Sequence, residues 1–174
     1  NDGFDFLGWN FRKFKGKLLI QPSRKSKQKV TKSLSRTIKY YHEANQELLI
    51  IKLNQITRGW AEYHHCACAK KTYALIDHRL WEMLWKWAKR RHPRKGKKWI
   101  KNRYWHPKGN REWSFRTDKA ILYQMMDMPI VRIRSLDLKK NPFLDGEYFE
   151  HRRKQHKKDK ETAYLSRTDA ISGY

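Results

Sequence analysis

Three consecutive stretches between Ser23 and Arg91 repeat apolar residues at the three-and-four spacing of an α-helix, and no other feature constrains the fold as strongly. The stretches cover about 23–43, 46–69 and 72–91, and Pro93 follows the last one. Their apolar stripes are Val30, Leu34, Ile38 and Tyr41; Leu49, Leu53, Ile56, Trp60 and Tyr63; and Leu80, Trp81, Leu84, Trp85 and Ala88. Because only short turns separate the stretches, the pattern predicts a three-helix bundle over residues 23–93.

The segment before the bundle has the pattern of a β-hairpin. Residues 4–13 alternate apolar and polar side chains, with an interruption that a bulge would explain. Gly16 suits the turn that follows, and Pro22 ends the partner strand. The sequence therefore predicts a β-hairpin over 4–21, within an N-terminal unit of residues 1–22.

The segment after the bundle is aromatic, basic and irregular. Trp99–Trp105 and Glu112–Arg116 are predicted to pair across a turn, and a short strand is predicted around 130–133. Asn141-Pro142 begins a turn before a short helix over about 147–158. The predicted fold is mainly α, with a β-hairpin over 1–22, a helical bundle over 23–93, a small irregular α+β basic region over 94–155 and a flexible tail over 156–174.

The charge of the chain is concentrated on particular helix faces. Lys and Arg number 41 against 17 Asp and Glu, for a formal net charge of +24, which favours a polyanionic partner. A basic stripe lies opposite the apolar stripe of the first helix, and it consists of Lys25, Lys29, Lys32, Arg36 and Lys39. Solvated faces normally mix signs, so a stripe with no acid before Glu43 favours phosphate contact. Membrane binding is disfavoured, because no run of about 18 apolar residues occurs.

Further cations are predicted to face outward after the first helix. Arg58 lies opposite the apolar stripe of the second helix. The outward positions of the third helix are Arg79, Lys86, Lys89 and Arg90, and the linker after Pro93 adds Arg94, Lys95, Lys97 and Lys98. Aromatic residues interleave with these cations, as in Trp85-Lys86-Trp87, a pattern that suits stacking on bases as well as core packing. We expect these cations to contact nucleic acid.

The sequence shows no complete catalytic centre. Two-metal phosphoryl chemistry needs clustered carboxylates, whereas the aspartates of this chain are dispersed. A glycine-rich phosphate loop and a serine nucleophile elbow are also missing. His64 and Cys68, four apart on the predicted second helix, are zinc-type ligands, but no second pair at finger spacing accompanies them. We therefore expect neither a metal site nor catalysis by this chain alone.

Cysteine content and the first residues indicate the compartment. Cys66 and Cys68 are two apart and would point to different faces of a helix, so a disulfide between them is not expected. This usage is typical of a reducing compartment, and no secretory signal is present. The chain opens with Asn1-Asp2-Gly3 rather than Met, and we expect it to be a downstream piece or a separately encoded half of a longer enzyme.

Several blocks of the chain resemble group II intron-encoded proteins. Residues 4–9 (FDFLGW) and 18–23 (LLIQPS) resemble the last block of their reverse-transcriptase domain. Residues 53–63 (LNQITRGWAEY) and 85–93 (WKWAKRRHP) resemble their maturase-specific domain, also called domain X or thumb. Residues 141–153, from Asn-Pro-Phe to the two arginines, resemble the end of their basic DNA-binding region. The sequence departs from the usual pattern at Gln55, where proline is common, and in the run from His64 to Cys68.

This resemblance implies a role in RNA splicing and intron mobility. Family members bind their own intron RNA, stabilise its catalytic fold and act in mobility through reverse transcription, while the splicing chemistry belongs to the RNA. The matching blocks place Arg58 on the conserved helix of the thumb and Arg91 beside Arg90 on its basic third helix. Arg152 and Arg153 fall in the DNA-binding region. Mg²⁺ is expected in the RNA and in a polymerase palm, which this stretch lacks, and no cofactor is expected in this chain.

Three functional hypotheses follow. The first is a maturase module whose partner is group II intron RNA, in the bacterial cytoplasm or an organelle. The second is the thumb and DNA-binding portion of a reverse transcriptase, with target DNA and a separate catalytic half as candidate partners. The third is a generic basic scaffold, such as a ribosome-associated protein, which fits the composition but does not explain the ordered motifs.

Overall fold

The fold is given by a computed structural model that describes residues 3–131 and 136–172, with side chains as far as Leu165. It is mainly α, as predicted. In chain order the elements are β1 (Phe4–Phe6), β2 (Trp9–Phe14), β3 (Lys17–Pro22), α1 (Arg24–Tyr40), α2 (Gln46–His64), α3 (Lys70–Arg91), α4 (Lys97–Tyr104), β4 (Trp105–Lys108), β5 (Arg111–Phe115), a 3₁₀ turn (Met125–Asp127) and α5 (Gly146–Ser172).

The N-terminal segment is a three-stranded antiparallel sheet in the order β1-β2-β3. The prediction of one bulged strand over 4–13 was wrong, because the chain reverses at Leu7-Gly8. Both residues of that turn have positive φ, 45° and 84°, and so do Lys15 and Gly16, with 48° and 76°. Positive φ at both central positions is the signature of tight hairpin turns, and glycine at the second position adopts it without steric cost.

Helices α1, α2 and α3 form the predicted bundle. Ser23 caps α1 by accepting a hydrogen bond from the backbone nitrogen of Ser26 (3.1 Å), and Asn45 caps α2 in the same way from Leu48 (2.8 Å). The core side chains of the bundle are Val30, Leu34, Ile38, Leu49, Ile50, Leu53, Tyr73, Ile76, Leu80, Leu84, Trp87 and Ala88. Tyr63, predicted to face inward, is 51% exposed because it packs beside the N-terminal sheet rather than inside the bundle.

The segment after the bundle contains a hairpin, but its first strand is shorter than predicted. Residues 97–104 form helix α4, and β4 at Trp105–Lys108 pairs with β5. Ile100 and Tyr104 are buried against the bundle. A strand would place Asn102 on the same face as these two, whereas the helix turns Asn102 to solvent. The helix therefore satisfies the polar side chain as well as the apolar ones.

Two amides of α2 hold this second layer against the bundle. The side-chain nitrogen of Gln46 donates to the carbonyl oxygens of Tyr104 (2.9 Å) and Arg116 (3.2 Å). Asn54 donates to the carbonyl of Ile121 (2.8 Å) and accepts from the backbone nitrogen of Tyr123 (2.7 Å). The buried apolar cluster includes residues on both sides of position 93, so the bundle and the segment up to Met128 share one core.

The 3₁₀ turn is held by two charged side chains of α3. Asp77 accepts hydrogen bonds from the backbone nitrogens of Met125 (3.0 Å) and Met126 (2.9 Å), and Lys70 donates to the carbonyls of Met126 and Met128. Burial raises the pKa of Asp77 to about 6. Residues 130–131 are not in a strand, and positions 132–133 of the predicted strand lie outside the described residues.

Helix α5 is longer than predicted. After the predicted turn at Asn141, whose carbonyl accepts from the backbone nitrogen of Leu144 (3.1 Å), the helix continues to Ser172 rather than ending near Lys158 before a flexible tail over 156–174. Glu62 of α2 explains the added length, since Lys160 (3.1 Å) and Tyr164 (2.7 Å) both donate to its carboxylate. The Tyr164 bond and the Lys160 ammonium hold the pKa of Glu62 below its usual value. None of the helices described is both long enough and apolar enough to cross a membrane.

Candidate nucleic-acid interface

The basic stripe predicted on α1 is an exposed face without counter-charges. Val30, Leu34 and Ile38 turn into the core, while the five predicted cations of the opposite stripe are all exposed. Within the part of the chain whose side chains are described, no carboxylate forms a salt bridge with any of these five. An unneutralised row of this kind attracts phosphate over the whole length of the helix.

The cations of α3 continue this surface. Arg79, Lys86, Lys89 and Arg90 are exposed, as predicted from the helical period. The C-terminal ends of α1 and α3 meet at a cleft of about 490 Å³, where Lys39 and Arg90 both line the wall. Glu43 is the one carboxylate among the lining residues, and it lies beside His42 (3.3 Å). The two basic helices thus join at one end of the bundle.

Arg91 and Arg58 have structural contacts that the sequence did not reveal. Arg91 donates to the carbonyls of His42 and Ala44, and its guanidinium lies 4.9 Å from the ring of Trp87. It therefore closes the turn between α1 and α2 in addition to carrying charge. The Arg58 guanidinium is exposed but lies 5.1 Å from the Tyr123 ring. Stacking on a ring leaves the charge available to a phosphate while it restricts the side chain.

The linker cations gather at the start of α4. Arg94, Lys95, Lys97 and Lys98 are all exposed. No side chain caps α4, and its first turn contains no acidic residue. Lysines beside the positive end of a helix are unfavourable by themselves, and a bound phosphate would relieve this repulsion.

Two exposed tryptophans accompany these cations. Trp99 is 40% exposed and Trp113 is 42% exposed. The ammonium of Lys95 lies 5.4 Å from the Trp99 ring, and that of Lys101 lies 5.6 Å from the Trp113 ring. By contrast Trp87, from the interleaved run in α3, is buried. The tryptophans available for base stacking therefore lie outside the run that the sequence singled out, and their exposure depends on tertiary packing.

The C-terminal cations lie on a different element. Arg152 and Arg153 are in α5, with Arg153 exposed and Arg152 partly buried. The Arg152 guanidinium lies 5.7 Å from the ring of Tyr148. These positions are one to two turns from the start of α5, a separate surface from the α1 and α3 faces in sequence and in secondary structure.

His64 and Cys68 do not share a helical face, because α2 ends at His64. His64 is completely buried, its Nε2 lies 3.1 Å from the Ser26 hydroxyl, and burial lowers the pKa of its ring to about 4. Cys68 is exposed, and its backbone nitrogen donates to the carbonyl of Ile20 (3.0 Å). Among the described residues no group of three or more His, Cys, Asp or Glu is arranged to hold a metal ion.

The comparison with protein families gives the chain its context. Residues 25–105, which begin on the basic face of α1 and end at the start of β4, match the family described as group II intron, maturase-specific domain. Residues 25–105 are a maturase-specific domain. No curated protein sequence gives a significant match to the chain.

The maturase-specific domain contains the whole of α2, α3 and α4 and nearly all of α1. Both basic faces, the cleft where they meet and the cations before α4 therefore belong to it. A maturase-related function in a group II intron follows from the family, and group II intron RNA is the partner that it suggests.

Proposed function

We propose that this chain binds group II intron RNA through its maturase-specific domain, stabilises the active fold of that RNA and so promotes splicing. The observation that carries the proposal is the pair of unneutralised basic faces on α1 and α3, which join at the cleft beside Lys39 and Arg90. Phosphate contacts over an extended surface can hold RNA helices in a fixed relative position without reading their sequence. Chemistry is not required of the protein, because positioning is its contribution.

The salt dependence of RNA binding tests the electrostatic part of the proposal. If about six phosphates are contacted, the logarithm of the association constant should fall with a slope of roughly −4 to −5 per decade of salt. Filter binding of a group II intron RNA at several KCl concentrations measures this slope. A slope near zero would contradict binding through these faces.

Charge reversal on α3 tests the location of the interface. Lys86→Glu, Lys89→Glu and Arg90→Glu together should make the slope shallower by about 2 to 3 units, near one unit per lost phosphate. A matched control reverses Lys13, Lys119 and Lys158, which are also exposed but lie on other elements. Both triple variants have the same net charge, so equal losses of affinity would mean that binding is not localised. Circular dichroism should show unchanged helix content, because the three α3 side chains are exposed.

The N-terminal sheet supports a second candidate function, as the thumb portion of an intron-encoded reverse transcriptase that acts in intron mobility. Five large apolar side chains of the sheet are more than half exposed, namely Phe4, Phe6, Leu7, Phe14 and Leu18. An apolar surface of this kind favours a protein partner, here a catalytic half that carries the palm. Primer extension should be absent with the chain alone and present with such a half. Activity of the isolated chain would contradict this assignment.

Binding of target DNA is proposed for the cations at the start of α5. Arg152→Ala and Arg153→Ala should weaken binding of duplex DNA more than binding of intron RNA, if the two nucleic acids use separate surfaces. Competition between intron RNA and ribosomal RNA at one salt concentration addresses the generic-scaffold hypothesis. A maturase should prefer the intron RNA, whereas a generic basic scaffold should show equal affinity.

A further inference from the structure

A cavity of about 750 Å³ lies where the N-terminal sheet meets α1 and α2. Its volume falls within the range of small-molecule binding sites, and it is lined by side chains of the sheet and of both helices. The surfaces of α1 and α3 described above do not require a cavity, because phosphate contacts are made on open faces. The chemistry of its walls indicates what kind of ligand it would accept.

The aromatic wall of the cavity is held in place by neighbouring side chains. Trp60 is half-buried and its ring nitrogen donates to the Ser26 hydroxyl (3.1 Å). Tyr63 stacks on Trp9 with ring centroids 5.4 Å apart, and its hydroxyl donates to the carbonyl of Leu7 (2.6 Å). Two fixed rings at the edge of an open cavity suit a planar aromatic ligand, since stacking on a rigid ring has a low entropic cost.

The remaining walls carry complementary polar groups. Lys25 and Lys29 line the cavity from the first turns of α1, where the helix dipole also favours an anion. Asp5 of β1 lines a different wall and can accept hydrogen bonds from the N–H groups of a base edge. A phosphate on the α1 side and a base among the rings would match both charges.

His64 supplies a further polar atom. The ring is fully buried among the lining residues, and its Nδ1 has no hydrogen-bond partner among the described residues. Buried polar atoms without a partner are uncommon in folded proteins. Because burial keeps the ring uncharged at neutral pH, His64 does not add to the positive charge of the site.

We propose that this cavity receives one unstacked nucleotide of the bound RNA, with its phosphate at Lys25 and Lys29 and its base against Trp60 and Tyr63. This inference rests on the proposed RNA binding and goes beyond it, because it predicts a preference for RNA that presents a single extruded nucleotide. A nucleotide in a bulge has already lost its pairing, so placing it in a cavity requires little further distortion.

Gly59 offers a substitution that blocks the cavity without strain. It lines the cavity within α2, and a β-carbon added there would meet no atom within 4 Å. Gly59→Leu therefore places a branched side chain at the cavity wall, and leucine is a better helix former than glycine, so the variant should fold at least as stably. Gln55→Leu is the matched control, since position 55 is exposed on the same helix but does not line the cavity.

The experiment compares two RNA hairpins that differ only by a single-nucleotide bulge, at one KCl concentration. The wild-type chain and the Gln55→Leu control should bind the bulged hairpin about tenfold more tightly, as expected for one stacked base. Gly59→Leu should bind both hairpins equally, with unchanged affinity for the fully paired one. A 2-aminopurine in the bulge should lose fluorescence on binding to the wild type and not on binding to Gly59→Leu.

Different failures have different meanings. A steep salt dependence without any preference for the bulge would overturn the nucleotide cavity and leave the proposed RNA binding intact. An undiminished preference in Gly59→Leu, in a variant that melts at or above the wild-type temperature, would also overturn the cavity assignment. Salt-independent or absent binding of both hairpins and of intron RNA would overturn the proposed function itself.

Discussion

His64 should make the stability of the bundle sensitive to mildly acidic pH. Burial lowers the pKa of its ring from 6.5 to about 4 in the folded chain. As the pH falls below 6.5, the unfolded chain takes up a proton that the folded chain does not, so the free energy of unfolding decreases by about 1.4 kcal/mol per pH unit. Between about pH 7.5 and pH 5 the loss is roughly 2 kcal/mol. For a chain of 174 residues this lowers Tm by about 4–8 °C.

The measurement compares the wild type with His64→Gln, whose side chain remains polar but does not titrate. Urea unfolding followed by circular dichroism at both pH values gives the free energy of unfolding of each protein. Asp77 acts in the opposite direction, because its raised pKa stabilises the folded state as the pH falls below about 6, but it is present in both proteins and cancels. The advantage of the wild type should therefore shrink by roughly 2 kcal/mol on acidification. A constant difference would mean that His64 titrates normally and that its burial carries no penalty.

Three further substitutions test contacts that hold the fold. Arg91→Ala removes hydrogen bonds to two carbonyls of the α1–α2 turn and should lower the free energy of unfolding by about 1–2 kcal/mol, while Arg90→Ala should leave stability unchanged and weaken RNA binding; urea unfolding and filter binding of both variants separate the two roles. Asp77→Asn leaves one backbone N–H of the 3₁₀ turn without its acceptor and should destabilise the chain by about 1–3 kcal/mol at pH 7, and less at pH 5 in comparison with the wild type would contradict the raised pKa, because the wild type gains stability on acidification. Tyr164→Phe removes a hydrogen bond to Glu62 and should speed tryptic cleavage within α5 without changing the Tm of the bundle; equal cleavage rates would contradict the tie between α5 and α2.

The bundle could be predicted from sequence because its information is local. The apolar stripes of α1 to α3 recur at helical spacing, so the buried faces followed from the period alone. The segment at 97–104 was misassigned because its aromatic residues suggested a strand. The signal that could have corrected this was Asn102, which a strand would bury between Ile100 and Tyr104. Similarly, Gly8 with the out-of-phase Phe6 indicated a chain reversal rather than a bulge.

The candidate interface was predictable in its charges but not in its cavities. Exposure of the α1 and α3 cations follows from the position of each residue relative to an apolar stripe. The contact of Arg91 with the His42 carbonyl joins residues 49 apart, and the cavity at Gly59 needs the sheet and two helices together. Contacts of this kind depend on tertiary packing, for which a single sequence has no periodic signal.

The placement of the carboxylates explains why the positive charge stays concentrated. Asp77 binds backbone nitrogens of the 3₁₀ turn, Glu62 binds Lys160 and Tyr164 of α5, and Asp127 pairs with Arg111. Each of these carboxylates joins separate segments of the fold, and none is near enough to the α1 stripe to form a salt bridge with it. The free chain therefore keeps the mutual repulsion of its basic faces. RNA phosphates would remove that repulsion and release counterions in the same step, so part of the binding free energy arises from the protein surface itself.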